Sequence, residues 1–221
     1  KTFLELFSDY ASNILVGLAR LDGISIGIIA NQVSVLEGRL DIKSSVKAAR
    51  FIRTCDCFNI PIVTLIDSPG FLPEVAHEFG GAIKAGAKLL FAYSEATVPK
   101  LSVVIGKAYG GAYMAMGCKQ LNSDYNICWP SGQITVMKSK DAVNIIHRKE
   151  LFNSENHHKK YIKLLNKYNE KFDDPYAAAK KGWIDDVIEP EMTRKNLIKA
   201  LRPLLSKKEW SPSKKHDNMP L

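Results

Sequence analysis

Two short, predominantly apolar and β-branched runs restrict this fold more than any other feature, because each leads through a loop with glycine into a helical pattern. Ile62–Ile66 and Leu101–Gly106 lack the strict polar–apolar alternation of a half-exposed strand. Such runs mark strands covered on both faces, as in a parallel sheet. Asp67-Ser68-Pro69-Gly70-Phe71 follows the first run, and Ile83, Ala87, Leu90 and Phe91 set a helical stripe from about Gly80 to Ala96. After the second run, Gly110-Gly111 leads into a short helix expected over Ala112–Cys118. Asp124–Trp129 reads as a third strand with a turn at Pro130-Ser131-Gly132, then an apolar piece, Ile134–Met137, and a helix from Asp141 to His147. Repetition of strand, loop and helix predicts an α/β fold with a largely parallel sheet.

Upstream, Ile14–Leu21 and Ser25–Ala30 flank Asp22-Gly23, the strongest short hairpin signal. Asp41 is placed to cap a helix that runs to about Phe58 and is stopped by Asn59-Ile60-Pro61. Downstream, a Lys/Asn/His-rich stretch from Asn153 to Asn169 predicts a peripheral helix, within a helical segment spanning residues 153–181. Pro175–Lys181 is a short helix closed by Gly182, Trp183–Ile188 is extended, and Met192–Leu205 is a last amphipathic helix. Residues 1–205 are expected to form one domain. Residues 206–221, with two prolines and several lysines, are expected to be a basic irregular tail.

Composition removes several classes of function. No apolar run approaches the roughly 20 residues of a membrane span. The start shows no basic-then-apolar leader, and it is Lys1 instead of Met, so the chain is read as following a cut. Cys55, Cys57, Cys118 and Cys128 form no Cys-x-x-Cys pair and have no histidine at zinc spacing. That pattern predicts no metal and reduced thiols in the cytoplasm or an organelle matrix. The net charge of +8 admits a polyanion partner, but the basic residues are not interleaved with aromatics as a nucleic-acid stacking surface requires.

Reactive constellations are scarce, since there is no Gly-x-Ser-x-Gly and no P-loop. Asp67 is either a catalytic carboxylate or, the favoured reading, a loop residue that bonds nearby backbone amides. What the chain offers is glycine at strand ends, where ligands of open α/β sheets gather. The first N–H groups of a helix lack internal partners, and glycines there let a substrate oxygen approach the backbone closely. Tyr109-Gly110-Gly111-Ala112-Tyr113 therefore has the makings of an oxyanion hole, needing no reactive side chain. The same pattern also occurs in plain turns and in tight helix–strand packing.

At these residues the sequence resembles a known family. Asp67-Ser68-Pro69-Gly70-Phe71-Leu72-Pro73, Glu78-Phe79-Gly80-Gly81, Gly86–Leu90, Glu95–Lys100 and Lys107–Tyr113 occur in that order. So do Gly17–Gly23, Lys47–Phe51, Asp174–Ala178 and Lys215–Leu221. The series is similar to the C-terminal half of the biotin-dependent acyl-CoA carboxyltransferase β-subunits, the propionyl-CoA, methylmalonyl-CoA and acetyl-CoA carboxylase type. The resemblance implies a crotonase-like spiral of ββα units and a site shared between two halves. One half, or a separate subunit, binds acyl-CoA. The other meets biotin carried on a biotin carboxyl carrier protein, and the assembly is a homo- or hetero-oligomer. Carried over, the amides of Gly111 and Ala112 would hold the ureido oxygen of biotin. Gly70, Phe71, Gly110, Tyr113 and Met114 would shape the pocket, with Met114 at a position tied to acyl-chain preference. Met137-Lys138-Ser139-Lys140-Asp141 departs from a usual glycine-containing stretch. That departure motivates the alternative, a non-catalytic assembly module of a carboxylase or decarboxylase complex.

Overall fold

A computed structural model describes residues 3–154, 156–172, 174–209 and 219–220. Its centre is a mixed sheet of eight strands. β1 (Phe3–Leu6), β2 (Ile14–Leu21) and β3 (Ile24–Asn31) run antiparallel to one another. The turn at Asp22-Gly23 joins β2 and β3 as expected, whereas β1 was not expected at all. It lies on the sheet's edge with Phe3 and Leu4 exposed, so no buried apolar face marks it in the sequence.

From β3 onward the sheet is parallel. α1 (Ile42–Cys57) is set by Asp41, whose side chain accepts from the Ser44 amide at 2.7 Å while Ser44 Oγ accepts from the Asp41 amide at 2.8 Å. This reciprocal pair satisfies two otherwise orphaned donors. β4 (Ile62–Ser68), β5 (Lys100–Tyr109) and β6 (Tyr125–Cys128) are the central strands. β7 (Gln133–Thr135) pairs with the end of β5, and β8 (Asp186–Val187) pairs with β6. The expected helix over Gly80–Ala96 is α3 (Ala82–Glu95), and a short unexpected helix, α2 (Val75–Phe79), precedes it across Gly80-Gly81.

Successive residues of the central strands feed opposite faces, as a pleated strand requires. Ile62, Ile66 and Val104 join Phe51, Ile52, Leu89 and Tyr93 beneath α1 and α3. Val63, Leu101 and Val103 join Ile127, Leu197 and Leu201 beneath the last helix on the other face. Two buried lysines tie this core to loops. Lys47 is 4% exposed and donates to the carbonyls of Tyr10, Ala11 and Ile14. Lys100 is 2% exposed and donates to those of Tyr93 and Ala96 at the end of α3.

Beyond β5 come α4 (Gly110–Ala115), α5 (Ser139–Ile146), α6 (Arg148–Phe152), α7 (His157–Phe172), α8 (Pro175–Lys180) and α9 (Thr193–Leu204). The expected single helix over Asn153–Asn169 is thus displaced. α6 ends at Phe152 and α7 begins at His157. The extended piece Trp183–Ile188 shrinks to the two residues of β8. Most of the expected irregular tail, residues 210–218 and 221, lies outside the described residues. No described helix is long and apolar enough to cross a membrane.

Candidate functional site

The site is built where β5 ends. β4 and β5 both run past the bounds expected from their apolar cores, so Asp67 and Lys107–Tyr109 are strand residues. Tyr109 is extended, with φ −108° and ψ 132°, and its hydroxyl bonds the Gln133 side chain on β7. Gly110 then takes φ +53°. That left-handed step turns the chain from strand to helix within one residue. α4 accordingly begins at Gly110, two residues earlier than expected, and ends at Ala115. The sequence hid this because a helix that starts on two glycines has no apolar periodicity in its first turn.

Gly111 and Ala112 lie in the first turn of α4, where amides have no intrahelical acceptor. Among the described residues neither amide meets an acceptor outside the helix. Gly111 is exposed, while the Ala112 methyl is fully buried. Two neighbours fix the turn. The carbonyl of Val136 passes so close to Gly110 that a Cβ there would lie 2.7 Å from its oxygen. The ring of Phe71 lies under Gly86 and beside Gly111, at 3.0 and 3.6 Å from the positions their Cβ atoms would take. Gly70 takes φ +138° and faces open space, and its carbonyl accepts the Leu40 amide at 3.1 Å. Gly70, Phe71, Gly110, Gly111 and Ala112 are therefore neighbours on one surface.

Met114 stands 37% exposed one turn along, its sulfur 3.7 Å from Cys118 Sγ. Tyr113 faces inward. Its side chain is 5% exposed and packed in the core. A helix of this pitch turns neighbouring residues about 100° apart, so Met114 and Tyr113 cannot share the open face. Among the described residues the Tyr113 hydroxyl finds no partner, and burial pushes its pKa above the usual tyrosine range. Its ring is part of the core. Lys138 caps α5 and Lys140 follows it, both exposed.

Three residues that organise the site carried no functional weight in the sequence. Gln133 anchors Tyr109, Val136 braces Gly110, and Asn31 receives the Asp67 amide at 3.2 Å. A polar Asn closing an apolar strand is a usable signal, because such side chains bond nearby backbone. Asp67 is a strand residue and not the expected loop residue, and its Oδ1 accepts an amide from the neighbouring strand, that of Lys107, at 2.8 Å.

Large apolar side chains stand exposed on α2, on α3 and just after β7. Phe79 is 90% exposed, Ile83 85% and Val136 73%. Exposed patches of this kind mark interaction surfaces.

Such a spiral of strand–loop–helix units, with open amides after a central strand, defines a crotonase-like fold. The chain belongs to the carboxyl transferase domain family, which matches residues 1–219. It is 52% identical over 219 residues to a propionyl-CoA carboxylase beta chain from Cereibacter sphaeroides, covering 99% of this chain and 42% of that protein. It is 49% identical over 219 residues to the methylmalonyl-CoA decarboxylase subunit alpha of Propionigenium modestum, with the same coverage of each. Among solved structures, the hexameric transcarboxylase 12S with methylmalonyl-CoA and methylmalonic acid bound superposes with a TM-score of 0.97 at 47% identity. That superposition covers 99% of this chain and 42% of the other. The chain thus spans less than half the length of the relatives it matches.

Proposed function

We propose that this chain supplies the biotin-side half of a carboxyl-transfer site, which works between carboxybiotin on a partner carrier protein and a short acyl-CoA. The observation that carries the reading is the pair of amides at Gly111 and Ala112, which meet no acceptor outside the helix among the described residues, with Gly111 itself exposed. A urea-type oxygen fits this cradle: it is an acceptor that strengthens as negative charge gathers on it, and the donors are uncharged N–H groups in a fixed turn. When bound, carboxybiotin brings the carboxyl group and a ureido nitrogen able to take a proton.

The chain's own residues do the rest. The two amides stabilise charge on the ureido oxygen as the carboxyl group departs, and one such donor is worth about 3 kcal/mol of barrier. Because they are backbone groups held by Tyr109, Val136 and Phe71, they need no reorganisation as the reaction proceeds. The Phe71 ring and the Met114 side chain form an apolar wall that excludes water and limits the acyl chain. The exposed apolar side chains of Phe79, Ile83 and Val136 meet an acyl-CoA-binding N-terminal half or subunit. Assembly is a homo- or hetero-oligomer, a reading supported by the hexamer that the related transcarboxylase 12S forms. The thiols, all free, suit a reducing compartment, cytoplasm or mitochondrial matrix.

The test is to assemble this chain with the N-terminal half of a propionyl-CoA carboxylase beta chain and to follow labelled carboxyl transfer from carboxybiotin to propionyl-CoA. Transfer that needs both halves is the expected result. A folded complex that neither transfers carboxyl nor binds biotin would refute the reading and leave an assembly module in its place.

A further inference from the structure

β4 and β5 do not stay in register. Ile66 pairs with Val104, but Ser68 pairs with Ala108, so the single residue Asp67 faces three, Ile105, Gly106 and Lys107. The surplus is a bulge, and it falls where β5 changes neighbours. Up to Val104 its other side pairs with β6, and from Lys107 it pairs with β7. Bulges bend a strand, and their unpaired residues need another partner.

One carboxylate fills the gap. Asp67 Oδ1 accepts the Lys107 amide at 2.8 Å. A Cβ on Gly106 would lie 2.6 Å from the carboxyl carbon and from both of its oxygens. The carboxylate therefore occupies the space a side chain would take, and Gly106 and Asp67 require each other. Asp67 is oriented from behind: its amide donates to Asn31 Oδ1 at 3.2 Å, and Asn31 Nδ2 donates to the Gly38 carbonyl at 3.1 Å. Asn31 is 7% exposed, so this support is part of the core.

We propose that Asp67 is a positioning residue for carboxyl transfer, setting the angle at which β5 delivers the Gly110–Ala112 turn. The inference rests on the proposed role of those amides. Gly110 lies three residue steps beyond Lys107, roughly 10 Å of extended chain. Over that lever a rotation of about 6° at the bulge moves the turn by about 1 Å, and a misplacement of that size costs about 100-fold in rate. Asp67 acts by shape and by one accepted hydrogen bond; it exchanges no proton with substrate. An asparagine keeps both the shape and the acceptor oxygen.

The experiment uses this chain assembled with its acyl-CoA-binding half. Asp67→Ala, Asp67→Asn, Gly106→Ala and the double variant Asp67→Ala/Gly106→Ala are compared with the parent. Asp67→Ala lowers kcat by about 100-fold with the acyl-CoA KM within about twofold, and hydrogen exchange over residues 105–112 rises at least about tenfold. Asp67→Asn stays within about fivefold of the parent in kcat, and the double variant is no worse than Gly106→Ala alone, because the added methyl then has room. The inference is overturned if Asp67→Ala keeps parental kcat, if Asp67→Asn falls as far as Asp67→Ala, or if exchange over residues 105–112 is unchanged. A parent assembly with no transfer activity refutes the role of the amides instead, and the exchange measurement then decides the positioning by itself.

Discussion

Adjacent glycines should respond in opposite ways to the same added methyl. At Gly110, φ of +53° would place alanine in the left-handed region, at about 1–2 kcal/mol. The methyl would also sit 2.7 Å from the Val136 carbonyl oxygen, a backbone atom that cannot rotate away. Relieving such a contact adds about 1–3 kcal/mol. Gly110→Ala should therefore lose about 2–5 kcal/mol, a fall in Tm of roughly 4–20 °C for a chain of this size. At Gly111 the φ is not left-handed, and the methyl would meet Phe71 at 3.6 Å, ordinary van der Waals contact. Alanine in a helix is favoured over glycine by about 0.5–1 kcal/mol, so Gly111→Ala should hold or slightly raise Tm. Yet its methyl stands where the bound oxygen must approach, and carboxyl transfer should fall about 100- to 1,000-fold. Differential scanning calorimetry on the assembled protein, paired with labelled carboxyl transfer, separates the two. Parental transfer by Gly111→Ala, or equal melting of both variants, would refute the reasoning.

Other consequences can be checked independently. Replacing Lys100 with Met leaves the Tyr93 and Ala96 carbonyls without their donor; at about 1–3 kcal/mol per buried orphan, thermal unfolding should show a loss of about 2–4 kcal/mol. Under a thiol reagent, exposed Cys57 should react first and alone. Cys55 and Cys128 are buried, with pKa values pushed up to about 12 chiefly by burial, and all four cysteines should titrate once the chain is unfolded. For Asp41, burial acts to raise the carboxyl's pKa, but hydrogen bonds from Ser44 and Asn13 with the nearby His77 outweigh it, and the net shift is downward. A depressed carboxyl stabilises the fold above its unfolded value, near 3.8, and loses that contribution as pH falls through its folded value. Asp41→Ala should thus cost about 1 kcal/mol at pH 7, and the gap from the parent should close in an acid titration of stability.

Much of the central sheet was legible because β4 and β5 carry apolar runs that few other structures would bury. Their ends were not, because Asp67 and Lys107–Tyr109 extend each strand with residues chosen for hydrogen bonds and not for burial. The turn at Gly110-Gly111 was legible as two glycines after a strand, and its neighbourhood with Gly70 and Phe71 followed from the resemblance. The inward turn of Tyr113 was not legible, because spacing within a five-residue string says nothing about which face of a short helix each residue takes. Asn31, Gln133 and Val136 were missed for a related reason. Each acts across the sheet, on a residue brought near only by register.

The bare side chains at Phe79, Ile83 and Val136 set up a contest whenever this surface is left uncovered. Copies carrying a charge of +8 repel one another, and in dilute salt that repulsion keeps their oily edges apart. Raising ionic strength to about 1 M shortens the reach of the charge to about 3 Å, while attraction between the edges persists or strengthens. The isolated chain should therefore be clear in weak buffer and turbid in strong brine, the reverse of a protein held together by ion pairs.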